Sequence, residues 1–174
     1  VAVNVFAGQL PEKVKSVDLT TQNLYTLTDD SVKLINNLKQ DVTLYVLSAE
    51  NSADDTVVRT LENYEDESSH IKVEYVDPAV SPNFYSSYTD AAPSDGSIIV
   101  VSGEKSKVID ASDLYEYSVD YSTYTQTKSA YDGEGQLTSA ISYVTGDNQP
   151  KVYVITGHGE SSLDSSFQSA LEKM

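Results

Sequence analysis

The feature that most constrains the fold is an uncharged run, VTLYVL, at residues 42–47. Because this run offers no polar face, it predicts a strand that is covered on both sides in the centre of a layered sheet. Upstream of it, Val32, Ile35 and Leu38 recur at helical spacing. Thr28 is a suitable N-cap for that helix, and the two aspartates after it suit the positive first turn. The pattern therefore predicts a helix that leads into a central strand.

A second helix is expected to begin at Ser52, because Ser52 and Asp55 form a Ser-x-x-Asp variant of the capping box. Val57, Leu61 and Tyr64 line one face of this helix. An apolar stripe of this kind is typical of a helix that packs on a sheet. The helix therefore supplies the crossover of a β-α-β unit.

Three further strands and a third helix are predicted after this crossover. Residues 71–76 alternate in character and end at an Asp-Pro pair, which predicts a strand followed by a break. Residues 79–96 have the composition of a loop, and residues 97–101 and 107–109 predict a hairpin around a Gly-containing turn. Apolar residues at i, i+3, i+4 and i+7 then mark the last helix, and they are Leu137, Ala140, Ile141 and Val144.

The order of elements over residues 42–145 is β-α-β, β-hairpin, α, which predicts an α/β fold. This order matches the core of a thioredoxin-like fold. We expect residues 1–148 to form that domain together with an N-terminal extension. Residues 149–174 predict one more strand and helix, which would be the first β-α step of a second, truncated α/β domain.

Composition narrows the range of functions. The 174 residues include 27 acidic and 11 basic side chains, so the net charge is −16. Such acidity argues against binding to nucleic acid, whose phosphates need clustered Lys and Arg, and against docking on anionic lipid. The chain has no Cys, so a redox thiol at the strand-to-helix junction of residues 48–52 is excluded. The sequence predicts a binding or scaffold role without catalysis and without a cofactor.

One candidate ligand loop lies near the end of the chain, between a predicted strand and a predicted helix. Its backbone N–H groups could face an anion, and its His and Glu side chains could act as acid and base or share a metal ion. The alternative is a tight turn in which the glycines serve backbone geometry alone. The loop consists of Gly157, His158, Gly159 and Glu160.

A second candidate is the acidic, Tyr-rich segment at residues 111–131. Tyr combines rigid contact area with a hydroxyl group and is enriched at protein interfaces, so the segment predicts a partner surface. A hairpin that packs its rings on the sheet fits the sequence equally well. The candidate partner residues are Tyr115, Tyr117, Tyr121 and Tyr124. No metal site and no serine-hydrolase triad are predicted, because the acidic clusters lack EF-hand spacing and no Gly-x-Ser-x-Gly elbow is present.

Several short sequence segments of the chain resemble the soluble part of gliding-motility-type ABC-transporter auxiliary proteins. The resemblance extends over most of the chain, from about Val3 to Glu160, and depends on the order of these segments more than on any one of them. They lie at residues 18–20, 24–28, 75–78, 82–84, 98–101, 107–110, 113–115, 132–141 and 151–160.

This resemblance implies a membrane-anchored protein on the extracytoplasmic face of the cell membrane, in a version suggestive of Gram-positive bacteria. It implies an ABC permease and an ATPase as partners, anchors that lie outside this segment, and an amidotransferase-like second domain that begins near residue 149. Self-association is possible, and residues 79–96 and 111–131 are expected to present the contact surface. Two other functions stay open: a small-ligand or enzymatic site at residues 157–160 once the second domain is complete, and a cell-surface adhesion module.

Overall fold

The run at residues 42–47 forms the central strand of a four-stranded sheet in the computed structural model, which describes residues 26–120 and 124–146. Strand β1 (Val42–Val46) is parallel to β2 (Ile71–Tyr75) on one side and antiparallel to β3 (Ile98–Ser102) on the other. Strand β4 (Lys105–Ile109) pairs antiparallel with β3, so the strand order is β2-β1-β3-β4. The predicted α/β fold with a central, uncharged strand is confirmed.

Within the described ranges, three α-helices accompany this sheet: α1 (Asp29–Asn36), α2 (Asp55–Glu67) and α3 (Gly133–Thr145). Their apolar residues join one face of the sheet in a single core. The elements thus follow the order of a thioredoxin-like core, which is a β-α-β unit, a β-hairpin and a helix. The chain has no cysteines. Fully buried members of this core include Ile35, Leu44, Leu61, Tyr64, Ile98, Leu137 and Ile141.

Helix α1 begins where its cap was predicted, and the cap also ties it to α3. The Thr28 hydroxyl oxygen accepts from the Ser31 N–H at 3.4 Å. The Thr28 N–H and hydroxyl both donate to Glu134 Oε1 at 2.7 Å. The buried Tyr64 hydroxyl of α2 donates to the Glu134 carbonyl at 3.1 Å, so polar bonds join all three helices above the apolar core.

The predicted start of α2 at Ser52 is wrong by three residues. Ser52 ends a short 3-10 turn (Glu50–Ser52), and the helix begins at Asp55 with Asp54 as its N-cap. One oxygen of the Asp54 side chain accepts from the Thr56 N–H at 2.9 Å. A carboxylate is a strong N-cap beside the positive helix end, and the intervening 3-10 turn carries the chain from β1 to that point.

In the described part of the chain, the opposite face of the sheet is covered by the connection from β2 to β3. This connection contains a 3-10 helix (Phe84–Ser87). The rings of Phe84 and Tyr88 lie 4.9 and 5.8 Å from the ring of Tyr45, which projects from β1 away from the core. These aromatic contacts make the connection a second covering layer.

The Tyr-rich segment forms a β-hairpin that is separate from the main sheet. Its strands are β5 (Tyr115–Asp120) and β6 (Thr125–Tyr131), and they pair only with each other among the described strands. The register shifts at Glu116 and Tyr117, so Ser129 is the extra residue of a β-bulge. We call this hairpin, residues 115–120 and 124–131, the arm.

The remaining predictions for the ends of the chain lie outside the described residues. They concern the N-terminal extension, the second domain from residue 149, and the loop of Gly157, His158, Gly159 and Glu160. Of the helices that the structure describes, none combines the length and the apolar character needed to cross a membrane.

Candidate functional site

A cleft of about 790 Å³ lies at the carboxyl ends of β1 and β2. Its walls are the connection after β1, the two ends of the connection from β2 to β3, and the connection after β4. The arm closes one side with Tyr115, Tyr117 and Lys128. In open α/β sheets, ligands commonly bind outside the carboxyl ends of the strands, where neighbouring connections diverge. Position and volume both fit a ligand site.

The floor of this cleft is apolar and its rim is polar. Val46, Val57 and Leu114 form buried parts of the floor. The connection after β1, where a thioredoxin-like enzyme would need thiols, contributes Ser48, Ala49 and Ser52. The charged groups of the rim are Asp54, Asp77, Asp95, Asp110 and Lys128.

Asp110 joins the end of β4 to the entry of β3. Its Oδ1 accepts from the Ser112 N–H at 3.0 Å, and its Oδ2 accepts from the Ser94 N–H at 3.2 Å and from the Ser97 hydroxyl at 3.4 Å. These hydrogen bonds, first of all the one from the Ser112 N–H, outweigh partial burial and lower the pKa of Asp110 to about 2. The charged carboxylate of Asp110 therefore holds the connection after β4 against the connection that precedes β3.

Asp54 joins α2 to the arm. Besides capping the helix, it accepts from the Tyr115 hydroxyl, and its Oδ2 lies 3.5 Å from Lys128 Nζ. Burial alone would raise the pKa of Asp54, but the bonds from Tyr115 and Thr56 and the charge of Lys128 lower it on balance. The same ammonium lies 3.5 Å from the centroid of the Tyr115 ring, so it is held by a carboxylate and an aromatic face together.

The other two carboxylates of the rim have spare hydrogen-bonding capacity. Asp77 Oδ1 accepts from the Ala79 N–H at 2.8 Å, which closes a turn after β2. Asp95 is exposed at the entry to β3. Within the described ranges, neither carboxylate takes part in an ion pair.

The arm is attached at its base and exposed beyond it. The rings of Tyr115 and Tyr131 lie 5.2 Å apart at the base, and the Tyr131 hydroxyl donates to Thr60 Oγ1 of α2 at 3.0 Å. Farther out, Tyr117 is 45% exposed and Tyr124 is 85% exposed. Of the candidate partner residues, Tyr115 is thus half-buried, Tyr117 and Tyr124 are exposed, and Tyr121 lies outside the described residues.

Sequence reasoning did not single out Val119 of the arm, which is 39% exposed, or the cleft as a whole. The aspartates close after β2 and β4, Asp77 and Asp110, were an available sign of the cleft, because both strands end at the same edge of the sheet. No group of three or more His, Asp or Glu side chains in the described part of the chain is arranged to hold a metal ion. His70 lies at the other end of the sheet, where its Nδ1 is 2.8 Å from Asp41 Oδ1.

Comparison with protein families identifies a domain within this chain. The profile of a domain of unknown function, DUF7088, matches residues 21–113, which is just over half of the chain. The chain belongs to the DUF7088 family. The match spans the whole main sheet with α1 and α2, whereas the arm and α3 of this DUF7088 protein follow it. Neither the curated proteins nor the solved structures yield a match.

Proposed function

We propose that this chain is a non-catalytic binding domain of a membrane-anchored ABC-transporter accessory protein, on the extracytoplasmic face of a Gram-positive cell. One observation carries the binding role. Of the five large hydrophobic side chains exposed in the described part of the chain, three lie on the arm, and they are Tyr117, Val119 and Tyr124.

The arm has the physical properties of a recognition element. A two-stranded hairpin without a covered face is only marginally stable in water, so a partner that covers this arm would stabilise it. Residues 125–129 of β6 are all exposed, which leaves both faces of that strand uncovered. The exposed aromatic side chains of the arm, Tyr117 and Tyr124, offer contact area at a low cost in side-chain entropy.

The cleft supports a role without redox chemistry. Serine and alanine side chains lie where a thioredoxin-like enzyme would carry its reactive thiols. Asp54 and Asp110 are engaged in hydrogen bonds that join parts of the fold, which suits carboxylates with a structural role. The sequence resemblance is the basis for proposing the permease and the ATPase as partners. It is also the basis for proposing the extracytoplasmic location.

The test is affinity purification of the full-length parent protein from its native membrane. The arm variant is Val119→Ser with Tyr124→Ser, since both side chains are exposed and neither lines the cleft. The matched control is Val80→Ser with Tyr143→Ser, which removes two exposed hydrophobic side chains elsewhere. We expect the wild type and the control to recover an ABC permease and an ATPase in stable ratio, and the arm variant to lose them.

The two parts of the proposal fail in different ways. Absence of transporter subunits from the wild type, under conditions that preserve membrane complexes, would overturn the transporter assignment. Full recovery by the arm variant would show that the partner binds elsewhere.

A further inference from the structure

We propose that the cleft at the carboxyl end of the sheet binds a small organic cation, namely an ammonium group on an apolar stem. This inference concerns the cleft, which shares only Tyr117 and Lys128 with the exposed part of the arm. It does not depend on the transporter assignment.

The cleft has room and a suitable floor for such a molecule. Its volume of about 790 Å³ lies within the range of small-molecule sites, which is roughly 300–1,000 Å³. Val46, Val57 and Leu114 give the floor an apolar character, and Pro78 and Tyr117 extend it toward the rim. An apolar stem placed there would be removed from water by contact with these apolar side chains, which is favourable.

The charged side chains at the rim indicate which charge a ligand should carry. Among the residues that the structure describes, four carboxylates and one ammonium group line the cleft. Asp54 and Lys128 offset each other, and Asp110 is saturated by hydrogen bonds from serines. Asp77 and Asp95 remain to meet a ligand, and two carboxylates at the mouth of a partly enclosed cleft favour a cation and disfavour an anion.

One wall of the cleft already holds an ammonium group in the expected manner. Lys128 Nζ lies 3.5 Å from both Asp54 Oδ2 and the centroid of the Tyr115 ring. A carboxylate and an aromatic face are the two groups that recognise ammonium ions best when water is partly excluded. Asp77, Asp95 and Tyr117 line the same cleft, so the cleft offers carboxylates and an aromatic ring to a ligand as well.

The test is a titration of the isotopically labelled 174-residue chain, followed by amide chemical shifts in NMR spectra. The probe is n-hexylamine, compared with n-hexanol and hexanoate, which share its stem without the positive charge. We expect saturable shifts from the amine at residues 48–54, 77–79 and 94–96, with affinity about ten-fold above that of the alcohol and with no binding of the acid. Asp77→Asn with Asp95→Asn should weaken amine binding about ten-fold, while the amide oxygen introduced by Asp77→Asn can still close the turn after β2.

The matched control is Asp66→Asn with Glu104→Gln, which removes two charges at the opposite end of the sheet. Equal weakening by this control would show general attraction to an acidic protein and overturn the proposal. Equal affinity for the alcohol, or shifts confined to other regions, would overturn it too. Tighter binding of acetyl-Ala-Lys-Ala-amide than of hexylamine would replace the small cation with a protein segment. None of these outcomes involves transporter subunits, so the proposed function is tested separately.

Discussion

The main sheet and the arm use similar residue types, Val, Thr and Tyr, but they are stabilised in different ways. In the main sheet, Leu44 and Ile98 are fully buried under three helices, and the aromatic connection covers the other face. In the arm, residues 125–129 are exposed on both faces of β6. Backbone pairing alone is therefore enough to define a strand, whereas stability comes from the covered face.

The arm depends on a small joint at its base. Tyr131 contacts α2 through Thr60, and Tyr115 contacts the cap of the same helix through Asp54. Burial raises the pKa values of both tyrosines, that of Tyr131 to about 12, so the joint is formed with neutral hydroxyl groups. We expect the joint to hold one end of the hairpin in place while the other end opens at lower free energy than the core.

The largest effect should come from the core of the sheet. Leu44→Ala removes a fully buried side chain from the central strand, and such changes cost about 2–5 kcal/mol of unfolding free energy. We expect a lower denaturation midpoint with an unchanged slope in urea, and hydrogen exchange that accelerates throughout the described domain. Exchange that accelerates in the arm alone would contradict the assignment of Leu44 to the common core.

A smaller effect is expected at the joint, from Gly133→Ala. An added Cβ would lie 2.0 Å from the hydroxyl oxygen of Tyr131, so the ring must move and leave Thr60. Although Ala is the better helix former, we expect a net loss of about 1–3 kcal/mol, with faster hydrogen exchange in β5 and β6 than in β1.

Gly135→Ala is the matched control for this change. Its added Cβ would lie 2.4 Å from Asp132 Oδ1, at the far end of a side chain that can rotate away. We expect Gly135→Ala to be neutral or to stabilise by less than about 1 kcal/mol. If the two variants were alike in stability and exchange, the joint would not hold the arm.

The difference between the two regions also explains what could be predicted from the sequence. The run at residues 42–47 identified β1 and its central position because an uncharged strand has no face suited to water. Helix α3 was marked by apolar residues at helical spacing, and its fully buried Leu137 and Ile141 agree. Patterns that arise from burial are visible in a single sequence.

The arm and the cleft gave weaker patterns. The sequence YSTY joins β5 to β6 without the Gly, Asn or Asp of a typical hairpin turn, and Tyr124 takes the left-handed φ of 54° that Gly usually supplies. The exposed β6 also lacks an alternating apolar face. The cleft is assembled from segments far apart in the chain, so its residues become neighbours only once the strand order is known.

Asp110→Asn should affect the sheet and spare the arm. We expect a loss of roughly 1–2 kcal/mol at pH 7, because the charged acceptor of several hydrogen bonds becomes neutral. The pKa of Asp110 is lowered to about 2 in the folded state, below its ordinary value near 4. Its stabilisation is therefore complete above about pH 4 and is lost as the pH falls toward 2. Urea midpoints measured across this range should converge for the wild type and the variant, and a constant gap between them would contradict the role of the charge.

The smallest effect is expected from Lys128→Met, which keeps the apolar stem and removes the ammonium group between Asp54 and Tyr115. Because this pair is partly exposed, we expect a loss of at most about 1 kcal/mol, confined to the arm. Hydrogen exchange in β5 and β6 should accelerate at low ionic strength, while β1 stays unchanged. In 1 M salt the difference from the wild type should shrink, because screening weakens the charge of Lys128 at this half-exposed site. Acceleration that persists at high salt would contradict the role of the charge, and equal exchange in the variant and the wild type at both salt concentrations would show that the arm is attached by the contact between the inclined rings of Tyr115 and Tyr131 instead.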